Sequence, residues 1–334
     1  MIAWHIDFHN VAQLVPFEDG YLMHRVPQEV RPHLNESLQQ TMSSYATGVE
    51  LRFRLRGDQA ILRLRTRPME EAQVAHIYYG SIQGGWQNSS RLITTQPTEL
   101  LIRRPENMDA LRRIHQDCAL PFSPDVVRVV LPYGALVFLG VEGDVEPPRP
   151  EDLPRRTYLA YGSSITHGSL ALDMPHTYPF RIAQRLGCDY LNLGFAGSAH
   201  LEEDMARWIV SRRDWDFASV EMGINMLGSF TPEAFEQRVD RFTAILAEDP
   251  RPVFATSIFG FNGDGQEKAA VFRDIVRRYA GERLRFIDGL ALLNDPACIS
   301  QDMVHPTLEG IDQIARRLQA FMTPALGDMG LISR

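Results

Sequence analysis

The chain has 334 residues, 44% of them hydrophobic and 23% charged, a globular composition that excludes a disordered protein and leaves room for two domains, each with its own core. The net charge is -8 and no dense run of Lys or Arg occurs, so a nucleic-acid-binding role is not expected. Met1, Ile2, Ala3 and Trp4 do not open a basic-then-apolar leader and no apolar run reaches membrane length, so a cytoplasmic protein with no membrane association is expected.

Residues 1–145 read as β-rich. Residues 49–55 alternate apolar and charged side chains, Gly57-Asp58 offers a turn, and residues 60–65 resume the alternation. This reads as a hairpin with one buried and one solvated face. Residues 75–79, 126–131 and 135–141 look like further strands, and residues 107–115 like a short helical interruption. Many short strands with little helix suggest an all-β sandwich or jelly roll. Gly84-Gly85-Trp86-Gln87 offers either an aromatic platform for a sugar ring or, as the preferred reading, a core Trp at a strand-to-loop bend. Residues 146–155 carry Pro147, Pro148, Pro150 and Pro154 and read as an extended linker.

From residue 156 to 334 the pattern becomes alternating strands and helices. Strands are expected at 157–162, 189–193, 217–222, 252–258 and 284–287, and helices at 177–186, 203–212, 232–247, 267–279 and 308–322. Thr231-Pro232-Glu233 is a helix start with a hydroxyl cap, a Pro at the first position and an early acid. Such alternation implies a parallel sheet covered by helices on both faces. Open sheets of this kind place their sites at the carboxyl ends of the strands.

Three short blocks fall at or after those ends, and a fourth lies in the late loop before the last helix. Tyr161-Gly162-Ser163-Ser164 follows the first strand, with Ile165, Thr166, His167 and Gly168 after it. Asn192-Leu193-Gly194-Phe195-Ala196-Gly197 closes the second, Gly223-Ile224-Asn225 follows the third, and Asp302-Met303-Val304-His305-Pro306 precedes the last helix. Each block alone recurs in unrelated turns. Their order resembles the SGNH, or GDSL-type, serine hydrolase superfamily, in the two-domain form with an N-terminal β-sandwich found among carbohydrate esterases. The resemblance covers about the C-terminal half of the chain and implies a flavodoxin-like three-layer α/β fold. Two positions depart from the usual pattern: Ser163 and Met226 stand where an Asp is common.

A serine hydroxyl is a weak nucleophile until a base takes its proton, and imidazole is the side chain that titrates near neutrality. Ser163 and Ser164 both stand in the turn, and the register of the resemblance favours Ser164 as the nucleophile, with His305 its base and Asp302, three residues earlier, the carboxylate that fixes the imidazole tautomer. The resemblance also admits a Ser-His pair oriented by backbone oxygen in place of Asp302. It implies oxyanion donors from the backbone of Ser164 and Gly197 and the side-chain amide of Asn225. Ser163, His167, Glu221 and Met226 are candidate pocket-lining residues; for Glu221, inside an apolar strand, structural pairing is the preferred reading. His176 and His200 lie near the same loops and could also line the site; for these two and for His167, surface or structural roles are the preferred reading. The cysteines Cys118, Cys188 and Cys298 are scattered, odd in number and without metal-ligand spacing, which fits reduced thiols.

The expected activity is hydrolysis of short-chain, acetyl, esters of a carbohydrate or small polyol through an acyl-enzyme, with neither metal nor organic cofactor. Two alternatives stay open: a lipase-like or thioesterase-like hydrolase of longer acyl chains, and a catalytically degenerate sugar-binding protein. The expected partner is a small-molecule ester; a homo-oligomer is left open.

Overall fold

Period-two alternation of apolar side chains builds the first half of the chain into two antiparallel sheets, one of eight strands and one of five, in a computed structural model that describes residues 1–332. Ser333 and Arg334 lie outside the described residues. Two compact units result. The first comprises Met1–Pro27 and Ser43–Arg155, so it takes in the Pro-rich segment; the second comprises Gln28–Met42 and the chain from Arg156 onward.

In the first unit the residues of the expected hairpin do not pair with each other. Glu50–Leu55 lies in the larger sheet against Val126–Val130, and Gln59–Thr66 lies in the smaller sheet against Thr98–Arg103 and Leu136–Glu142. Leu51, Phe53 and Leu55 face Ala60, Leu62 and Leu64 across one shared core. Alternation reports which face of a strand is buried, and a crossover between sheets satisfies it as well as a hairpin does.

The other face of Glu50–Leu55 is not solvated either, because Glu50 and Arg52 are fully buried. Glu50 Oε2 accepts from Arg52 Nε at 2.8 Å and Arg128 Nε at 2.7 Å, and its Oε1 accepts from Arg128 Nη2 at 2.6 Å. The Arg128 guanidinium also lies 3.8 Å from the centroid of the Phe122 ring. Burial opposes the charge on Glu50, but the two guanidiniums outweigh it and hold the carboxyl at about 2.

Trp86 is not in the core: it is wholly exposed. Bonds from Gly84 N to Ile77 O, Ile77 N to Ser89 O and Asn88 N to Gly85 O fold this loop back on itself, which leaves residue 86 at its tip.

The second unit is a five-stranded parallel sheet. Its strands are β1 (Thr157–Gly162), β2 (Asp189–Gly194), β3 (Phe217–Glu221), β4 (Val253–Thr256) and β5 (Arg285–Ile287), in the order β2-β1-β3-β4-β5. This is the flavodoxin-like order, with its reversal at β1 and β3. Its main helices are α1 (Glu36–Gln40), α2 (Ser164–His167), α3 (Tyr178–Leu186), α4 (Glu203–Ser211), α5 (Pro232–Ala247), α6 (Gln266–Arg283) and α7 (Leu308–Asp328), and one further short turn of helix, Gly289–Leu292, precedes α7. They form two packed groups, α3 with α7 and α5 with both α4 and α6, which makes the outer layers. The expected cap is present, with Thr231 Oγ1 accepting from Ala234 N, and Thr307 Oγ1 likewise accepts from Gly310 N. The α1 segment was not legible as part of this unit, since about 115 residues of β-rich sequence separate it from β1.

Gly194 ends β2 where α2 crosses it; a Cβ there would sit 2.1 Å from His167 N and 2.5 Å from Thr166 C. A Gly194→Ala variant should lose about 1–3 kcal/mol, seen as a lowered melting temperature, because backbone on both sides must shift. For the first unit, Glu50 bears the depressed value in the folded state, so its contribution is complete above 4.5 and is lost as pH falls toward 2. Urea unfolding should show that loss in the parent. A Glu50→Gln variant should be weaker at neutral pH by roughly 3–5 kcal/mol, from two uncompensated buried arginines, and should respond less to acid in that window.

Candidate active site

The turn after β1 is built around a close approach. A Cβ on Gly162 would meet Thr166 Oγ1 at 2.2 Å and Glu221 Oε2 at 2.6 Å, so only glycine fits. Ser163 then caps α2: its Oγ accepts from Ile165 N at 3.2 Å, and its own N–H donates to Glu221 Oε2 at 2.8 Å. Thr166 Oγ1 donates to the same carboxylate oxygen at 3.1 Å. Ser164 is the first residue of the helix, 8% exposed, and its Oγ lies 2.7 Å from His305 Nε2.

His305 is held by a compact loop. Ser300 N donates to His305 O at 2.8 Å, Met303 N to Ser300 O at 3.0 Å, and Thr307 N to Cys298 O at 2.8 Å. Met303 adopts φ 66°, in the left-handed region, which turns the chain sharply between Asp302 and His305. Met303 O in turn accepts from Asn262 N and Gly263 N, fastening this loop to the β4–α6 loop. Asp302 Oδ2 lies 2.7 Å from His305 Nδ1, while Oδ1 accepts from Ser300 Oγ, Val304 N and His305 N at 2.7–2.9 Å. Partial burial opposes ionisation of Asp302, but the N–H groups of His305 and Val304, the Ser300 hydroxyl and the imidazole together hold its carboxyl well below the usual range. An ionised Asp302 accepts from Nδ1–H, which leaves Nε2 with its lone pair toward Ser164.

Ser164, Gly197, Asn225 and His305 all border one cavity of about 640 Å³ at the carboxyl edge of the sheet. Gly197 has φ 66°. Asn225 is oriented by its oxygen: Ala199 N donates to Asn225 Oδ1 at 3.1 Å, leaving the amide nitrogen free to turn toward the cavity. As the first residue of α2, Ser164 has an N–H with no intrahelical acceptor. The rest of the wall is mostly apolar, with Ala196, Ile224, Leu227, Phe261 and Val304, plus Gly228, Gly263, Gly265, Ser169 and the single acid Asp264. Among the described residues no three His, Cys, Asp or Glu side chains converge as metal ligands do.

None of the four candidate lining residues borders the cavity, and Glu221 and His167 take the structural roles preferred for them. Ser163, His167, Glu221 and Met226 are all buried behind the loops. His167 Nδ1 accepts from Ala196 N at 3.2 Å, supporting the loop that carries Gly197 from beneath. Glu221 lies under the α2 turn as described, with Oε1 buried and unpaired among the described residues, and burial raises its pKa against the opposing bonds from Ser163 and Thr166. Met226 follows Asn225 in a short 3-10 turn and points into the core. His176 pairs with Asp173, and the His200 ring packs 5.5 Å from that of Phe230. Sequence reading missed Leu227, Phe261 and Asp264. The only signal for the last two was a Gly-rich stretch, Gly260 to Gly265, following a strand.

Residues 160–312 match the GDSL-like Lipase/Acylhydrolase family. No curated protein matches the chain. Among solved structures, a salicylyl-acyltransferase from a tetracycline biosynthetic pathway superposes with a TM-score of 0.75 at 17% identity, over 97% of this chain and 95% of that one. An acetyl xylan esterase from the rumen bacterium Butyrivibrio proteoclasticus gives 0.55 at 15% identity, over 85% and 92%. A family two carbohydrate esterase from Clostridium thermocellum gives 0.55 at 13%, over 84% and 92%. At these identities the likeness is one of fold, and it extends through the β-sheet unit as well as the α/β unit. The Ser-His-Asp arrangement at the carboxyl edge of a β2-β1-β3-β4-β5 sheet lies within residues 160–312, the segment that matches the GDSL-like Lipase/Acylhydrolase family, and this α/β unit is that of an ester hydrolase, with an antiparallel β-sheet unit ahead of it in the sequence.

Proposed function

We propose that the protein is a serine esterase that cleaves short-chain, acetyl, esters of a carbohydrate or small polyol through an acyl-enzyme. The observation that carries the mechanism is the continuous path from Asp302 Oδ2 through His305 to Ser164 Oγ, with 2.7 Å at each step. His305 Nε2 takes the Ser164 proton as Oγ attacks the ester carbonyl. The imidazolium so formed is stabilised by Asp302, whose carboxylate persists because four donors hold it ionised. The carbonyl oxygen gains negative charge and is met by the N–H groups of Ser164 and Gly197 and the Asn225 amide. His305 then protonates the departing alkoxide. A water, deprotonated by the same nitrogen, attacks the acyl-Ser164 and releases the acid. The acetyl and carbohydrate parts of the proposal draw on fold neighbours named as an acetyl xylan esterase and a carbohydrate esterase.

A second reading concerns the acyl group. The wall formed by Ile224, Leu227, Phe261 and Val304 surrounds more space than acetyl fills, which favours a longer or aromatic acyl chain.

Hydrolysis of p-nitrophenyl acetate, butyrate and octanoate separates the readings. The parent should turn over at least one ester, Ser164→Ala none, and Ser163→Ala should remain active because Ser163 only caps α2. Preference for acetate supports the first reading, and preference for octanoate the second. A parent inactive on all three while still binding oligosaccharide would instead support a sugar-binding protein. Asp302→Asn should lower kcat by roughly 10³-fold or more with little change in melting temperature, since the carboxylate orients and compensates the imidazole. If kcat fell less than about tenfold, a Ser-His pair would suffice and the role of Asp302 would be disproved.

A further inference from the structure

Oxyanion donors accelerate a reaction only when they are already aimed at the developing charge. Two of the three donors in the proposed site depend on one loop, residues 195–202 between β2 and α4. Gly197 N belongs to it, and Ala199 N orients Asn225. From beneath, the loop is tied by Phe195 N to Gly162 O, Leu201 N to Tyr161 Oη and Ala196 N to His167 Nδ1. From the other side it is tied by a segment that lies about 160 residues earlier in the sequence, Gln28–Met42, which packs with the α/β unit.

Asn35 in this strap makes three side-chain bonds that together determine its amide orientation, and a fourth from its backbone. Its Oδ1 accepts from Leu38 N at 3.1 Å and so caps α1. Its Nδ2 donates to Ser198 O at 2.8 Å and to Glu202 Oε1 at 2.7 Å, and its backbone N donates to the same Glu202 oxygen at 3.2 Å. Ser198 Oγ donates to Ser37 Oγ at 2.8 Å. The buried Leu34 and Leu38 flank these contacts on the strap.

The peptide unit joining Ser198 to Ala199 is thus held at both ends. Its carbonyl accepts from Asn35 Nδ2 and its N–H donates to Asn225 Oδ1. A chain of amides runs from Asn35, through this peptide, to the Asn225 carboxamide, ending at Asn225 Nδ2. Hydrogen bonds in series polarise one another, so each link makes the terminal N–H a better donor as well as a better-placed one.

We propose that the strap is part of the catalytic apparatus: Asn35 and Ser37 are positioning residues that set the 195–202 loop and, through the Ser198–Ala199 peptide, aim the Asn225 amide at the substrate oxyanion. The proposal rests on the esterase reading above and extends it to a segment outside the matched residues 160–312.

The test uses the full chain. Asn35→Asp keeps an oxygen that caps α1, removes the donor to both Ser198 O and Glu202 Oε1, and sets a second carboxylate beside Glu202; Ser37→Ala removes only the hydroxyl contact. Steady-state kinetics on the best p-nitrophenyl ester are measured well below each melting temperature, beside deuterium exchange of the peptides spanning 195–202 and 299–307. Asn35→Asp should lower kcat by about tenfold or more with KM within about twofold, the pattern of a lost transition-state interaction. It should speed exchange across 195–202 and leave 299–307 as in the parent. Ser37→Ala should move both readouts in the same direction by less. An unchanged kcat together with unchanged exchange in 195–202 overturns the proposal, as does a rise in exchange equally across both peptides, which marks general loosening. If the parent hydrolyses no ester, the esterase reading fails on that result, and exchange in 195–202 alone then decides whether the strap holds the loop.

Discussion

In a sheet whose strands are all parallel, every carboxyl end lies at the same edge. The turn after β1, the loop after β2 and the turn after β3 therefore meet there whatever residues they contain. The reversal of strand order at β1 and β3 opens a crevice between their loops. Ser164, Asn225 and Gly197 border one cavity because of this constraint, and the residues themselves only exploit it. The imidazole comes from further away, on a loop before α7 that is closed on itself by the Asp302 carboxylate and fastened to the β4–α6 loop at Met303 O.

Around that edge, buried polar groups act mainly as supports. Glu221 sits beneath the α2 turn and accepts from Ser163 N and Thr166 Oγ1; His167 accepts from Ala196 N. Each was a plausible cavity residue by position in the chain, and each instead satisfies backbone donors of a loop that must hold a sharp conformation. A loop of this kind leaves N–H groups without ladder partners, and a buried side-chain acceptor is the economical way to satisfy them. In the mechanism proposed above, the Gly197 N–H is kept for the substrate oxygen, which requires that its neighbours be tied all the more firmly.

The strap follows the same logic at longer range. Asn35 and Ser37 reach the 195–202 loop from a segment that leaves the β-sheet unit and returns to it before Glu50. In that unit the burial of Glu50 with Arg52 and Arg128 shows a second case in which polar residues at alternate strand positions pair with one another and do not meet solvent.

Much of this was legible in the order of residues. Most strand and helix boundaries in the α/β unit fall within a few residues of those expected from periodicity and caps, although the last helix runs six residues further, and the positions of Ser164, Gly197 and Asn225 after successive strands indicated a common edge, because local pattern sets element type and parallel topology does the rest. Periodicity could not say which strand each would pair with, so the chain crosses between sheets where a hairpin was expected, and Trp86 sits at a loop tip where a core position was expected. Nor could it say that His167 and Glu221 face inward, or that Asn35 meets Ser198. Those are contacts between residues far apart in sequence, chosen by packing and by the need to satisfy buried donors, and only the tertiary structure decides them.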